Sequence, residues 1–260
     1  MPVNKKCKIL NKKFLKKDIC SITILSEEIA KMAKPGQFLN IRVTDDIEPL
    51  LRRPISIYNI DEANGKVEFI FQLKGKGTHL LAERNEGEFL DIIGPLGYGI
   101  FKLEEYKNIA IIGGGIGIFP LHELSKRAKN EGIKSKIYIG FRNKELVILE
   151  DEFKNVSNEL IYTTDDGSYL RKGYAIEFLK EDVKNDRPDC IYACGPLPML
   201  KAVKEFAREE NIPCQISLEE RMACGIGVCL GCAVKEAGVE NSYKHVCKNG
   251  PVFDATTVKI

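Results

Sequence analysis

Residues 218–234 read LEERMACGIGVCLGCAV, and this stretch decides how the rest of the chain is read. Cys224, Cys229 and Cys232 stand in a C-x4-C-x2-C run, and Cys247 follows after fourteen further residues. That is the plant-type ligand spacing of a [2Fe-2S] cluster. Gly225, Gly227 and Gly231 lie between the thiols. Residues without a side chain let a loop curl around an inorganic core and turn its amide hydrogens toward sulfur. The spacing leaves two other readings open. A structural zinc site usually shows two C-x2-C knuckles, or one knuckle with a histidine pair, and His245 stands two residues before Cys247 as a substitute ligand. Unligated thiols are the third reading.

Working outward, the chain is 260 residues long, enough for two domains and a small appendage. Hydrophobic residues make up 44% and charged residues 29%, the composition of an ordinary water-soluble globular protein. The 39 basic and 37 acidic residues are interspersed, and a net charge of +2 argues against a surface for nucleic acid or membrane. The lysine run at 12–17 reads as a solvated loop. Nine cysteines, four of them at metal spacing, point to a reducing cytoplasm rather than a secreted disulfide scaffold. The N-terminus MPVNKKCKIL has no apolar signal core, and the longest apolar run, at 109–121, is too short and too rich in glycine to span a bilayer.

Up to about Gly99 the pattern is short strands separated by turn signals. Runs at 20–25, 37–43, 55–59 and 66–73 are punctuated by Pro35-Gly36, Asn64-Gly65 and Gly94-Pro95. These predict an antiparallel β-barrel, interrupted by one helix over 78–84. Two features in it carry chemistry. Arg53-Pro54-Ile55-Ser56 mounts an arginine and a hydroxyl on a rigid dipeptide that opens a strand. Pro54 and Ser56 share a face, and a guanidinium so placed suits a phosphate. Lys74-Gly75-Lys76-Gly77-Thr78 feeds a glycine turn into the helix, with Thr78 as the expected N-cap. Free amides at such a helix start can receive a pyrophosphate. Each feature alone also fits a plain loop.

After Glu105 strands and helices alternate. Strands at 107–112, 136–141, 159–164 and 190–193, with helices at 121–131, 174–180 and 198–210, predict an α/β domain on a parallel sheet. Such sheets bind ligands beyond the carboxyl ends of their strands. The first strand runs into Gly113-Gly114-Gly115-Ile116-Gly117, a turn through which a backbone can approach a pyrophosphate. The acid usual about 20 residues further on is absent. The second strand ends in Phe141-Arg142-Asn143 instead, and an arginine there could meet a 2′-phosphate. Asp165-Asp166-Gly167 reads as a turn, and Cys194-Gly195-Pro196 as a strand-end turn. His79, His122 and His245 occur without catalytic partners, Cys7, Cys20, Cys190 and Cys214 read as core, and Glu219, Glu220 and Arg221 as a solvated turn.

Together the R-x-x-S segment at 53–56 and the G-G-G-x-G-I-x-P and C-G-P turns resemble the ferredoxin-NADP reductase superfamily. The resemblance implies that Arg53, Pro54, Ile55 and Ser56 hold the phosphate and ring of FAD, and that Ile70, Phe71 and Gln72 flank the flavin. It further implies that Gly77 and Thr78 touch the pyrophosphate. Gly113, Gly114, Gly115 and Gly117 would then receive NAD, with Cys194, Gly195 and Pro196 beside the nicotinamide. NAD rather than NADP follows from the resemblance alone. The expected architecture is α+β and multidomain: an antiparallel FAD barrel at 1–103, an α/β nucleotide domain at 104–214 and a small [2Fe-2S] domain at 215–260.

The order of the parts is that of an electron relay. A nicotinamide gives a hydride, a [2Fe-2S] cluster takes single electrons, and a flavin between them can do both. The sequence shows no acid-base set and no third domain for an organic substrate, so the relay is expected to end at another protein. Over its whole length, through RRPIS, GGGIGIFPL, CGPLPML, SLEERMACGIGVCLGC and KHVCKNGPVF, the chain is similar to the electron-transfer subunits of NAD-dependent, type B dihydroorotate dehydrogenase. That family implies a partner carrying FMN that oxidises dihydroorotate, electrons crossing the cluster at Cys224, Cys229, Cys232 and Cys247 to FAD and NAD, and a heterotetramer of two of each subunit. The rival relay is the flavin subunit of a ferredoxin-dependent NADPH oxidoreductase or of a sulfhydrogenase. The rival from another class is a zinc-stabilised binding module without redox chemistry.

Overall fold

A computed structural model describes residues 2–260. By internal contacts the chain forms two compact units. One gathers Met1–Ile100 with Glu219–Ala233 and His245–Pro251; the other gathers Phe101–Leu218 with Val234–Lys244 and Val252–Ile260.

The first unit is built on a closed six-stranded barrel. Its elements are β1 (Val3–Lys16), β2 (Ile19–Leu25), α1 (Glu27–Met32), β3 (Phe38–Arg42), β4 (Arg53–Asp61), β5 (Lys66–Gln72), α2 (Lys76–Glu83) and β6 (Phe89–Leu96). The strands close in the order β1-β2-β5-β4-β3-β6, each antiparallel to its neighbour. Alternation fills the interior: Ile22 and Ile24, Leu39 and Ile41, Val67, Phe69 and Phe71, and Leu90 and Ile92 point inward and are buried.

Three expectations are corrected here. The lysine run is not a loop, because Lys12, Lys13 and Lys16 belong to β1, where Lys12 faces Ile22 and Lys13 faces Ser21. Pairing with β2 overrides the weak strand preference of lysine; the Lys13 side chain is exposed, while the Lys12 ammonium donates to Ala82 O at 3.1 Å and lies over the Phe14 ring. Gly94-Pro95 is not a turn but lies inside β6. Pro95 falls where pairing with β3 slips, Asn40 facing Ile93 and Phe38 facing Leu96, so a residue without an amide hydrogen interrupts no regular ladder. The helix expected at 78 begins at Lys76, with Gly75 as N-cap.

The second unit carries a seven-stranded sheet in the order β10-β9-β8-β7-β11-β12-β15. Its strands are β7 (Asn108–Gly114), β8 (Lys134–Phe141), β9 (Glu159–Thr164), β10 (Arg171–Lys172), β11 (Cys190–Cys194), β12 (Cys214–Ser217) and β15 (Val252–Asp254). All pairs are parallel except β12 with β15. The helices α3 (Phe119–Asn130), α4 (Glu150–Val156), α5 (Ala175–Val183) and α6 (Leu197–Glu209) connect them. Each residue from Ile109 to Gly114 in β7, and all of β11, is buried, as strands covered on both faces must be. A three-stranded sheet completes the chain: β13 (Ala233–Glu236) lies between β14 (Tyr243–His245) and β16 (Val258–Lys259).

Candidate cofactor and cluster sites

The four spaced cysteines are brought together in the first unit. The Cys224 Sγ accepts the amide hydrogens of Ile226, Val228 and Cys229, each at 3.4 Å. Gly231 N donates to Cys229 Sγ at 3.5 Å, and Cys247 N to Cys232 Sγ at 3.3 Å. The loop must turn sharply to aim three amides at one sulfur, and Gly225 (φ +70°) and Gly227 (φ +84°) supply backbone that a side chain would strain. Burial opposes ionisation of Cys224, but the Cys229 and Ile226 amides, with help from the Cys229 thiol and the Val228 amide, bring it down to about 6. Burial, and then the adjacent Cys232 thiol, push Cys247 up to about 12. A cation between the thiols would reverse that second shift.

The thiols act on one another, Cys229 on Cys224 and both Cys232 and Cys224 on Cys247, so the four lie in one neighbourhood. A two-iron cluster asks for two thiolates on each iron, with small hydrogen-bond donors around the sulfur. The donor set therefore fits [2Fe-2S]. All nine cysteines are free thiols, and Cys7, Cys20, Cys190 and Cys214 are buried as expected.

On the barrel, Arg53, Pro54, Ile55 and Ser56 open β4 and are half-buried. Pro54 pairs with Asn40 and Ser56 with Phe38. Gly77 is where this segment meets α2: a β-carbon there would come within 2.2 Å of Arg53 Nε and 2.5 Å of its Cζ. The expected phosphate-binding arginine thus lies against the expected pyrophosphate helix, in a cradle only glycine leaves open. Thr78 is not the N-cap. It sits at the third helical position, where its Oγ1 accepts from the amides of Lys74 (2.9 Å) and Gly75 (3.2 Å) and donates to Gly75 O (3.0 Å). Ile70 and Phe71 are buried, Phe71 within the barrel core, and Gln72 donates to Asp18 Oδ2 at 2.6 Å.

In the second unit the two predicted turns lie side by side. β7 and β11 are adjacent, with Gly113 paired to Cys194, and strand order reverses between them. That is the switch point at which open α/β sheets bind ligands. A β-carbon on Gly117 would come within 2.5 Å of Gly195 Cα, and one on Gly114 within 2.9 Å of Pro196 Cδ and Met199 Sδ. Gly115 turns at φ +55°. Gly113 packs against Ile118 and Leu121, and Cys194 is buried at the strand end. Arg142 and the Asp165-Asp166-Gly167 turn follow the neighbouring ends of β8 and β9, with Asp165 N donating to Phe141 O at 2.9 Å. Burial pushes the Asp165 carboxyl up while the Arg142 guanidinium opposes it.

One residue escaped the sequence reading. Asn40 sits in the middle of β3 and donates from Nδ2 to the carbonyl of Cys224 at 3.0 Å. Its only signal is a polar side chain inside the apolar run FLNIR, which reads equally well as ordinary strand alternation.

Residues 219–259 match the family model described as the iron-sulfur cluster binding domain of dihydroorotate dehydrogenase B, and residues 111–205 match an oxidoreductase NAD-binding domain. Among curated proteins, the chain is 39% identical over 258 residues to the dihydroorotate dehydrogenase B (NAD(+)) electron transfer subunit of Lysinibacillus sphaericus, covering 98% of each chain. It is 41% identical over 240 residues to that of Bacillus caldolyticus, covering 91% of each. Among solved structures it is similar to a chain of an NADH-dependent reduced ferredoxin-NADP oxidoreductase, with a TM-score of 0.86 and 32% identity, covering 100% of this chain and 91% of that one. A ferredoxin reductase of carbazole 1,9a-dioxygenase shares the fold at a TM-score of 0.69 and 19% identity, over 82% of this chain and 67% of that one.

Proposed function

The chain belongs to the family of electron-transfer subunits of NAD-dependent dihydroorotate dehydrogenase B, and on that premise we propose that it carries electrons between the dihydroorotate-oxidising subunit and NAD in pyrimidine biosynthesis. The observation that carries the reading is the cysteine arrangement: four thiols gathered in one unit, with backbone amides on three of the sulfurs. When bound, FAD supplies the exchange between a hydride's two electrons and the single electrons of an iron-sulfur cluster. The other relay of this build, the ferredoxin-NADP oxidoreductase chain, stands at 32% identity against 39–41% for the dihydroorotate subunits, which favours the latter.

In this reading the residues divide the work. Arg53 meets the flavin nucleotide's phosphate, with Pro54, Ile55 and Ser56 along the ring and the amides at Gly77 and Thr78 toward the pyrophosphate. Ile70 and Gln72 flank the flavin, and Phe71, whose side chain fills the barrel core, offers its backbone. Gly113, Gly114, Gly115 and Gly117 admit the dinucleotide, and Cys194, Gly195 and Pro196 border the nicotinamide. Cys224, Cys229, Cys232 and Cys247 hold the iron. The functional parts are 1–103 for flavin, 104–214 for nucleotide and 215–260 for the cluster. The partner is the catalytic subunit, with FMN as its flavin, two copies of each chain in the assembly, and the cytoplasm as its place.

The test is to purify the chain with and without its partner. Equal iron and sulfide, bound flavin, and bleaching of that flavin by dihydroorotate only when the partner is present are the expected results. Zinc in a colourless chain, or reduction of the isolated chain by dihydroorotate, would overturn the reading.

A further inference from the structure

We propose that Asn40 is a positioning residue for electron transfer: its side-chain amide fixes the first cluster ligand, Cys224, against the barrel strand that pairs with the Arg53–Ser56 segment. This rests on the preceding reading that the loop holds [2Fe-2S] and the barrel holds FAD.

Leu39 and Ile41 point into the barrel and are fully buried, so Asn40 between them points out. A polar residue on the outer face of a barrel is ordinarily wet, yet Asn40 is only 1% exposed, because the cluster loop covers it. Its Nδ2 donates to the Cys224 carbonyl at 3.0 Å, and Gly225 (φ +70°) approaches so closely that a β-carbon there would lie 2.5 Å from the same nitrogen.

Asn40 Oδ1, in contrast, is buried and has no hydrogen-bond partner among the described residues. Leaving an amide oxygen dry and unmet is costly, so a residue needed only to fill this place would be apolar. The amide is explained by what its nitrogen holds.

The base on which it stands is fixed. Arg52 Nη1 donates to the Asn40 carbonyl at 3.4 Å and to Asp91 O at 2.8 Å, and Arg52 Nη2 makes two 2.8 Å bonds to the Asp91 carboxylate. Across the ladder from Asn40 stands Pro54, with Ser56 two residues further on. The second cysteine-bearing segment is held separately, by Tyr98 N on Lys248 O (3.1 Å) and Gly99 N on Gly250 O (2.9 Å). Asn40 is therefore a side-chain link between the barrel wall and the loop at Cys224. The amides of Ile226, Val228 and Cys229 that point at Cys224 Sγ follow directly from Gly225, so their aim depends on where Asn40 holds the loop. Hydrogen bonds to ligand sulfur tune a cluster's potential.

The experiment compares wild type with Asn40→Leu, which keeps the bulk and loses both polar atoms, and Asn40→Asp, which when ionised cannot donate to a carbonyl. Each is loaded anaerobically with FAD, iron and sulfide. FAD content reports the barrel, and iron retention under chelator, the EPR spectrum and the midpoint potential of the reduced cluster report the loop. Amide hydrogen exchange over 224–231 is read on the cluster-free chain. Both variants should keep FAD, lose iron about 10–100-fold faster, the usual cost of removing a partner that orients a ligand, shift the EPR spectrum and potential, and exchange faster over 224–231. Unchanged iron retention, spectrum and potential in Asn40→Leu would overturn the proposal, as would loss of FAD in both variants, which would make Asn40 a residue of the barrel alone. A wild-type chain that takes up no iron or no FAD fails the functional reading itself, and is recognised because no variant is needed to see it.

Discussion

Arg53 lies directly over Gly77: a methyl group in place of the Gly77 hydrogen would stand 2.2 Å from Nε of the guanidinium and 2.6 Å from Nη2. The obstacle is the far end of a flexible side chain, so Gly77→Ala should leave the barrel folded while moving Arg53 aside. Charge-assisted hydrogen bonds of an arginine are worth about 1.5–3 kcal/mol, so FAD affinity should fall by about ten- to a hundredfold. Titration of the flavin-free chain with FAD measures it. An affinity equal to wild type would mean that Arg53 does not meet the phosphate.

Gly117 presents the opposite case, because its neighbour is backbone. A β-carbon at 117 would sit 2.5 Å from Gly195 Cα and 2.7 Å from Gly195 N, and neither can swing away. Gly117→Ala must therefore part the turns after β7 and β11, the crevice assigned to the dinucleotide. NADH should reduce the bound FAD more slowly at low NADH, through a raised KM, while FAD content is unchanged. Stopped-flow flavin reduction across a range of NADH concentrations checks this; a normal KM would remove the nucleotide from that crevice.

These two contacts also mark what the sequence made legible. Gly113, Gly114, Gly115, Gly117 and Gly195, the cysteines at 224, 229, 232 and 247, and Arg53 stand out as candidates in the sequence because their chemistry admits few substitutes and their spacing is local. The parallel sheet was readable for the same reason, since Ile109 to Ile112 and β11 carry runs of buried residues. β1 was not, because its lysines alternate around sparse inward residues such as Cys7 and Ile9, and only pairing with β2 and β6 makes it a strand. Reading Thr78 as the cap places it three positions late, since a threonine bonds the helix start as readily from the third position as from the cap. Asn40 stayed hidden because its partner, the Cys224 carbonyl, lies 184 residues away.

Arg52 and Asp91 hold the foot of β3 to β6. The carboxylate accepts two bonds of 2.8 Å from Arg52 Nη2, and the side chains are only 19% and 23% exposed, so this pair is worth more than a surface ion pair. Asp91→Ala leaves the guanidinium with backbone acceptors alone and should destabilise the barrel by about 1–3 kcal/mol. Arg52→Lys, which cannot present a planar fork, should lose part of that. The release temperature of FAD fluorescence reads both, and a release temperature for Asp91→Ala equal to wild type would show the pair to be idle.

Asp189 gives the second unit a pH dependence. Its Oδ2 accepts the amides of Lys107 (2.8 Å) and Asn108 (2.9 Å), where β7 begins. The Asn108 amide, then that of Lys107, hold its carboxyl below the ordinary value. A carboxyl depressed in the folded chain binds its proton more readily when unfolded, so its contribution is complete above the unfolded value of about 3.9 and disappears as pH falls through the folded one. Asp189→Ala should therefore lower the unfolding temperature of the second unit by a constant amount above about pH 5, with the difference from wild type shrinking below about pH 4. Thermal unfolding followed by amide infrared or circular dichroism at a series of pH values makes the comparison. A difference that persisted undiminished into strong acid would mean that the carboxylate charge plays no part in capping β7.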